Sequence, residues 1–390
     1  MKKVFVAGDN MITSLGFTTN ENIINLKDNI IGLKILDDHN LTPVPVPLSL
    51  IDPLALEYHF IKVLKDTSSD LSPEGFTKLE KMFLVSIHDA IKNIMMDLKG
   101  KKSLLILSTT KGNIELLEKE NKKHFDPKRL YLWEMAEVIR KAMGFFNPPL
   151  IVSNACVSGV LGIGVGYRYL KSGNYDHAVV CGGDILSQFV ISGFQSFQSL
   201  SPEPCRPYDI SRNGLSLGEA CGTIVLTSDS AAVEGQRVII EGTSTSNDAN
   251  HISGPSRTGE ELALAIRSSL KEAHLQPSDI GYISAHGTAT PFNDEMEAKA
   301  FSIAGLKHVP LNSFKGYWGH TLGAAGVIES VAAIHSMKKD ILFKSAGYSN
   351  PGVPEDINVI TKNKKNIFDH LVKTASGFGG CNASIIFGKS

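Results

Sequence analysis

Residues 150–170 read LIVSNACVSGVLGIGVGYRYL. An apolar triplet, 150–152, runs straight into Ser153 and Asn154, residues that cap helices because their side chains hydrogen-bond the free N–H groups of a first turn. The continuation is apolar and carries glycine at 159, 162, 164 and 166. Without side chains there, a helix can approach its neighbours closely and be buried deeply. The stretch reads as strand, small-residue turn and buried helix, the repeating unit of α/β proteins. Cys156 falls at or near the N-terminus of that helix. The dipole and free N–H groups there favour the thiolate and lower its pKa. Taken alone, such a cysteine is more often a small buried residue than a reactive one.

The same form returns at 282–290, YISAHGTAT. His286 closes a strand, and Gly287 lets the backbone approach a ligand. The hydroxyls of Thr288 and Thr290 can hydrogen-bond one, and acids from Asp294 onward open a helix in the sense the dipole prefers. A third segment, 312–330, reads NSFKGYWGHTLGAAGVIES. Lys315 and His320 stand in a small-residue turn that enters the helix carrying Glu329, where together they can polarise a carbonyl. The last, 375–390, reads ASGFGGCNASIIFGKS, a glycine-rich turn before a terminal strand. Backbone N–H groups in such a turn can form part of an oxyanion hole. Each segment has an ordinary reading as a packed histidine, a surface lysine or a tight turn. Jointly they supply what nucleophilic catalysis needs: a thiolate, polarising donors and an oxyanion hole.

Working outward, strand patterns occupy 3–7, 104–108, 178–181, 223–226, 238–241, 282–285 and 384–387. Helical patterns occupy 77–98, 132–143, 161–171, 260–274 and 327–337. This alternation predicts an α/β protein. The polar stretch 228–236 marks a seam, giving halves 1–233 and 234–390, each with a strand that runs into a small-residue turn. The chain has 39 basic and 40 acidic residues, a net charge of -1, so no basic surplus suggests nucleic acid. Five cysteines without a C-x-x-C pair argue against a disulfide framework or a structural zinc site. The apolar run after Lys2 and Lys3 is too short for a signal peptide, and no stretch approaches the ~18 apolar residues of a membrane span. A cytosolic protein is expected.

Six motifs in order carry a resemblance: SNACVSG, RPYDISRNGLSLGEACG, DANHISGP, HGTATPFND, KGYWGHTLGAAG and GFGGCNAS, spanning 153–384. They resemble the elongating β-ketoacyl–acyl-carrier-protein synthases of the thiolase superfamily, in their Cys-His-His branch, and GDNMITSLG near the start is similar to that family's opening strand and turn. The resemblance implies a thiolase-like fold, duplicated halves in five layers, α-β-α-β-α. It implies that Cys156 takes an acyl chain from acyl carrier protein as a thioester. His286 and His320 would hydrogen-bond the malonyl thioester carbonyl, and Lys315 with Glu329 would hold the histidine pair. The N–H groups of Cys156 and Phe378 would form the oxyanion hole, with Phe378 as gate. Thr288, Thr290 and Ser253 would contact the 4'-phosphopantetheine arm of the carrier. No tightly bound cofactor or metal is implied. The partners implied are acyl carrier protein, meeting a basic rim drawn from Lys62, Lys65, Lys122, Lys123, Lys128, Arg129 and Arg257, and a second subunit, identical or related.

Related branches differ at readable positions. An initiating or chalcone-synthase-like enzyme would carry Asn at 320. A degradative thiolase would use a second catalytic cysteine near the carboxyl terminus, but Cys381 lies in GFGGCNAS, which follows the synthase pattern. A non-elongating, chain-length-factor-like partner subunit would lack the nucleophile. The departures from the pattern are Phe314, Gly316, Tyr317 and Trp318 around Lys315, Lys111 in the segment that floors the acyl pocket, and Asn250. They fall where chain length and substrate shape are set, which points to a specialised lipid, polyene or pigment pathway.

Overall fold

The structure, a computed structural model, describes residues 2–38, 41–67, 72–95, 97, 100–118, 124–233, 235–249 and 254–390. Ten strands form one sheet: β1 Val4–Ile12, β2 Ser103–Ser108, β3 Leu150–Val152, β4 His177–Asp184, β5 Ala220–Thr227, β6 Val238–Asn247, β7 Ile280–Ser284, β8 Leu311–Asn312, β9 His370–Gly377 and β10 Cys381–Lys389. Their order is β8-β7-β9-β10-β6-β1-β5-β4-β2-β3. Read outward from the centre, β1-β5-β4-β2-β3 is matched by β6-β10-β9-β7-β8. The strand senses repeat too: antiparallel, antiparallel, parallel, parallel on both sides. Among the described residues, the strand pairs Val4↔Ile240 and Phe5↔Ile239 join the two sets.

Seven helices complete the layers: α1 Lys78–Ile91, α2 Leu132–Met143, α3 Ser158–Lys171, α4 Gln188–Ser196, α5 Glu260–Ala273, α6 Pro291–Ile303 and α7 Ala325–Lys338. Helices α3 and α7 lie between the two strand sets. Val160, Ile163, Val327, Ile328 and Val331 share one core with Ile106, Val180, Leu371 and Ile385 from both strand sets. Helices α1 and α2 cover the outer face of the first set, and α5 and α6 that of the second. The result is the five-layer α-β-α-β-α arrangement of the thiolase-like fold.

Glycine makes the central layer possible. A methyl group on Gly326 would lie 2.3 Å from the Val160 amide nitrogen, and one on Gly159 2.7 Å from that of Val327. The two helices cross there backbone to backbone, closer than side chains permit.

Three expectations need correction. The helical pattern 77–98 ends at Ile91. Thr77 caps its start, accepting from the Glu80 amide while Glu80 reaches back to the Thr77 N–H. At its far end Ile94 N–H closes a turn on Ile91 O. The stretch taken as a turn from Ala375 is strand up to Gly377, since β9 pairs with β10 through Gly377↔Cys381. The turn itself is Phe378–Gly380, where Gly379 and Gly380 have φ of 86° and 74°. Finally, α3 starts at Ser158, two residues past Cys156, without a side-chain cap. Ala155 takes φ 44°, and Ser158 Oγ accepts the Asn154 N–H at 2.8 Å while donating to Ala155 O. Among the described residues no helix is long and apolar enough to cross a membrane.

Candidate active site

Cys156, His286 and His320 line one cavity of about 760 Å³, together with Thr288, Thr290 and Phe378. Each arrives from a different element. The left-handed Ala155 lifts Cys156 out of the line of β3 into the cavity. His286 follows β7 directly. His320 stands after a single helical turn, Lys315–Trp318, and Gly319 with φ 72° reverses the chain between them.

The two imidazole rings meet edge to face, with centroids 5.3 Å apart. The Leu322 N–H reaches His320 Nδ1 at 3.3 Å, so that nitrogen accepts and the proton sits on Nε2. His320 Nε2 is buried and has no hydrogen-bond partner among the described residues. A buried donor left unpaired costs free energy, so this atom calls for an explanation. On His286, Nδ1 faces Lys315 Nζ at 3.3 Å, which gives the same tautomer. Burial, then the Lys315 ammonium, holds both histidines well below the usual imidazole range; they are neutral.

Behind them lies a polar cluster sealed from water. Lys315 Nζ donates to His286 O at 2.6 Å and to Glu329 Oε1 at 2.7 Å. Glu329 Oε2 accepts Lys373 Nζ at 2.6 Å. Removing one partner of such a buried pair costs about 3–5 kcal/mol, because an uncompensated charge stays behind. Asp294 and Glu297 of α6 hold the 286–289 loop from the other side. Asp294 accepts the N–H groups of Thr288 and Tyr208, and Glu297 those of His286 and Gly287.

For Cys156 the expected depression of the pKa is overturned. Burial pushes the thiol up to about 11, outweighing the ammonium groups of Lys315 and Lys111 and the Phe378 N–H directed at it. That N–H nonetheless brings the GFGG turn to the sulfur, and a methyl on Gly377 would lie 3.1 Å from the Cys156 nitrogen. The Phe378 ring packs against Phe194 at 5.7 Å and Phe197 at 5.3 Å. Thr288 and Thr290 share a hydroxyl–hydroxyl contact of 2.8 Å on the cavity wall.

Tyr317 and Trp318 do not shape the cavity. Both are fully buried, and Trp318 stacks on Phe314 at 5.4 Å in the central core. The reversal at Gly319 sends His320 to the cavity and the aromatic side chains to the opposite side. Lys111 is half-buried and is not part of the cavity wall. Of the expected basic rim, Lys62, Lys65 and Lys128 are exposed and Arg257 lies at the cavity with its guanidinium 4.0 Å from the Phe292 ring. Arg129 instead pairs with buried Glu80 inside the first half. Ser253, Asn250, Lys122 and Lys123 lie outside the described residues.

The motifs did not point to Lys373, Glu297 or Asp184. Asp184 accepts the N–H groups of Thr110 and Gly323 and the Thr109 hydroxyl, tying the end of β4 to the turn before α7. The acids of α6 were visible only as a favourable first turn. Among the described residues no group of three or more His, Cys, Asp or Glu is placed to hold a metal ion, and all five cysteines are free thiols.

Residues 99–232 match the family described as Beta-ketoacyl synthase, N-terminal domain, and residues 237–349 match Beta-ketoacyl synthase, C-terminal domain. The chain is 27% identical over 332 residues to 3-oxoacyl-[acyl-carrier-protein] synthase 2 of Staphylococcus aureus (strain N315), covering 78% of this chain and 80% of that one. It is 33% identical over 260 residues to the protein of the same name from Vibrio cholerae, covering 63% of each. Among solved structures, the ketosynthase ApeO in complex with its chain length factor ApeC, from Xenorhabdus doucetiae, superimposes with a TM-score of 0.85 at 24% identity, over 100% of this chain and 98% of that one. With a cysteine and two neutral histidines at one cavity of a duplicated α/β fold, the chain belongs to the beta-ketoacyl synthase family, condensing enzymes of the thiolase superfamily.

Proposed function

We propose that this protein is a β-ketoacyl–acyl-carrier-protein synthase that joins a Cys156-bound acyl group to malonyl-acyl carrier protein with loss of carbon dioxide. The observation that carries the reading is that His320, whose buried Nε2 has no partner among the described residues, and His286 line the same cavity as Cys156 with their rings edge to face. The Cys156 sulfur attacks the acyl thioester, the oxyanion is held by the N–H groups of Cys156 and Phe378, and the carrier thiol leaves with the proton that Cys156 gives up. The malonyl thioester then binds with its carbonyl oxygen between the two histidines. Its carbon–carboxylate bond breaks, carbon dioxide leaves, and the electron pair becomes an enolate held by two Nε2–H donors. The enolate carbon attacks the Cys156 thioester, and the thiolate departs and is reprotonated. Neutral histidines suit this sequence because they donate hydrogen bonds without transferring a proton to the enolate.

Lys315 and Glu329 hold His286 in this reading, and Phe378 gates the acyl pocket through its contacts with Phe194 and Phe197. Thr288 and Thr290, with Ser253, contact the phosphopantetheine arm. The proposal includes an acidic acyl carrier docking near Arg257, a dimer of identical or related subunits, a cytosolic setting, and halves divided at residues 233 and 234. The pathway is fatty-acid or specialised polyene or pigment-type synthesis. Lys111 lends no support to a specialised acyl chain, since it is not part of the cavity wall. Tyr317 and Trp318 lend that idea no support, being in the core.

The second reading is a non-elongating, chain-length-factor-like subunit, prompted by the similarity to a structure containing such a pair. The presence of Cys156 beside both histidines favours the active subunit. Purified protein given acyl carrier and malonyl carrier separates the readings. The synthase releases carbon dioxide and yields a β-ketoacyl carrier, and cerulenin labels Cys156. An inert protein with an unlabelled cysteine overturns the proposal.

A further inference from the structure

Lys373 sits in the middle of β9, paired in register with Ser284 of β7, and is fully buried. Its ammonium donates to Glu329 Oε2 at 2.6 Å and lies 3.3 Å from the Ala285 carbonyl and 3.4 Å from that of Ser284. Those carbonyls immediately precede His286. The other oxygen of Glu329 accepts Lys315, which in turn touches His286 at Nδ1 and at its carbonyl. Two buried lysines thus share a single buried carboxylate. Burying a charge costs several kcal/mol unless it is fully paired, and a methionine would fill this space without that cost.

We propose that Lys373 is a positioning residue for the histidine pair: it clamps Glu329 on the side away from Lys315 and fixes the strand end that presents His286. The proposal rests on the reading of His286 and His320 as donors to the enolate. Lys373 also acts through its charge. The charged and titratable groups around His286 are Lys315 and Lys373, His320, Glu329 from α7, and Glu297 and Asp294 from α6. Around His320 they are Lys315, Lys373 and Lys111, with the Cys156 thiol across the cavity. The Lys373 ammonium pushes the pKa of both histidines down, after burial and Lys315 for His320 and after burial, Lys315 and His320 for His286. With it, both rings keep an accepting Nδ1 and a donating Nε2 at acidic pH, when an ordinary imidazole would be protonated.

Two variants test this. Lys373→Gln keeps a donor for Glu329 and removes the charge, and Lys373→Arg keeps the charge. The acid limb of the pH–rate profile for malonyl-carrier decarboxylation is measured with each, alongside titration of the histidines by NMR on ¹⁵N-histidine-labelled protein. Lys373→Gln is expected to raise the acid limb and the histidine titrations by ~0.5 pH unit or more. Lys373→Arg is expected to leave the limb where wild type has it, whatever its amplitude. An unshifted limb and titration in Lys373→Gln, or a shifted limb in Lys373→Arg, overturns the proposal, so either variant suffices if the other does not fold. Failure of wild type to decarboxylate malonyl carrier counts against the synthase reading instead, and the NMR titration still decides the role of Lys373.

Discussion

The Glu297 carboxylate accepts the backbone N–H of His286 at 2.7 Å. The same carboxylate takes Gly287 N–H at 2.8 Å, the Tyr208 hydroxyl at 2.5 Å and the Thr374 hydroxyl at 2.6 Å. Four donors converge on one buried side chain, so the backbone that presents His286 is held by α6 as much as by β7. Glu297→Gln turns an acceptor into a partial donor and leaves at least one of the four unpaired. Urea unfolding should show a loss of about 1–3 kcal/mol, and decarboxylation should fall through displacement of His286. An unchanged midpoint would mean that the loop is held elsewhere.

The crossing of α3 and α7 predicts a steric asymmetry among glycines. Gly326→Ala drives a methyl to 2.3 Å from the Val160 nitrogen, where only backbone can yield. Gly193, within α4, has open space at the same position. Gly326→Ala should cost about 3 kcal/mol or prevent folding, whereas Gly193→Ala should be neutral or slightly stabilising. Denaturant midpoints of the two variants check this.

The Cys156 thiol is pushed up to about 11, so at neutral pH it is protonated in the free protein. The thiolate fraction rises as pH climbs toward that value. Alkylation by iodoacetamide, followed by peptide mass, should therefore accelerate steadily through pH 8, 9 and 10 and show no plateau there. A plateau already reached below pH 8 would show a thiolate stabilised by its surroundings.

Much of this was legible in the sequence because chemistry and backbone coincide at these positions. Cys156, His286 and His320 each adjoin a small residue with positive φ: Ala155 before Cys156, Gly287 after His286 and Gly319 before His320. Helix 132–143 was readable to the residue because its apolar face repeats at helical spacing and Gly144 ends it with φ 79°. Strand β9 was not readable: HLVKTASG places a lysine in its centre, and the distant Glu329, with the Ser284 and Ala285 carbonyls, makes a buried lysine tolerable there. Tyr317 and Trp318 misled for a similar reason. Their neighbour His320 belongs to the cavity, and nothing short of the turn at Gly319 shows that the aromatics face away from it.

His320→Ala separates the roles of the two histidines and the cysteine. It removes the buried Nε2 donor, which has no partner among the described residues. Decarboxylation of malonyl carrier should fall by about 10²–10³, the usual effect of losing one such donor. Acylation of Cys156 should persist, because the N–H groups of Cys156 and Phe378 are untouched. Equal loss of both activities would argue that His320 serves the thiol rather than the enolate.

The central claim is that Cys156 carries the acyl chain. Intact-mass measurement after incubation with a panel of acyl carriers of different length tests it directly. The account predicts that wild type gains the mass of one acyl group, with the carrier released as its free thiol, for at least one member of the panel, with the label on the Cys156 peptide. Cys156→Ala should gain none. An acyl group retained in Cys156→Ala, or wild type unlabelled across the panel, would contradict it.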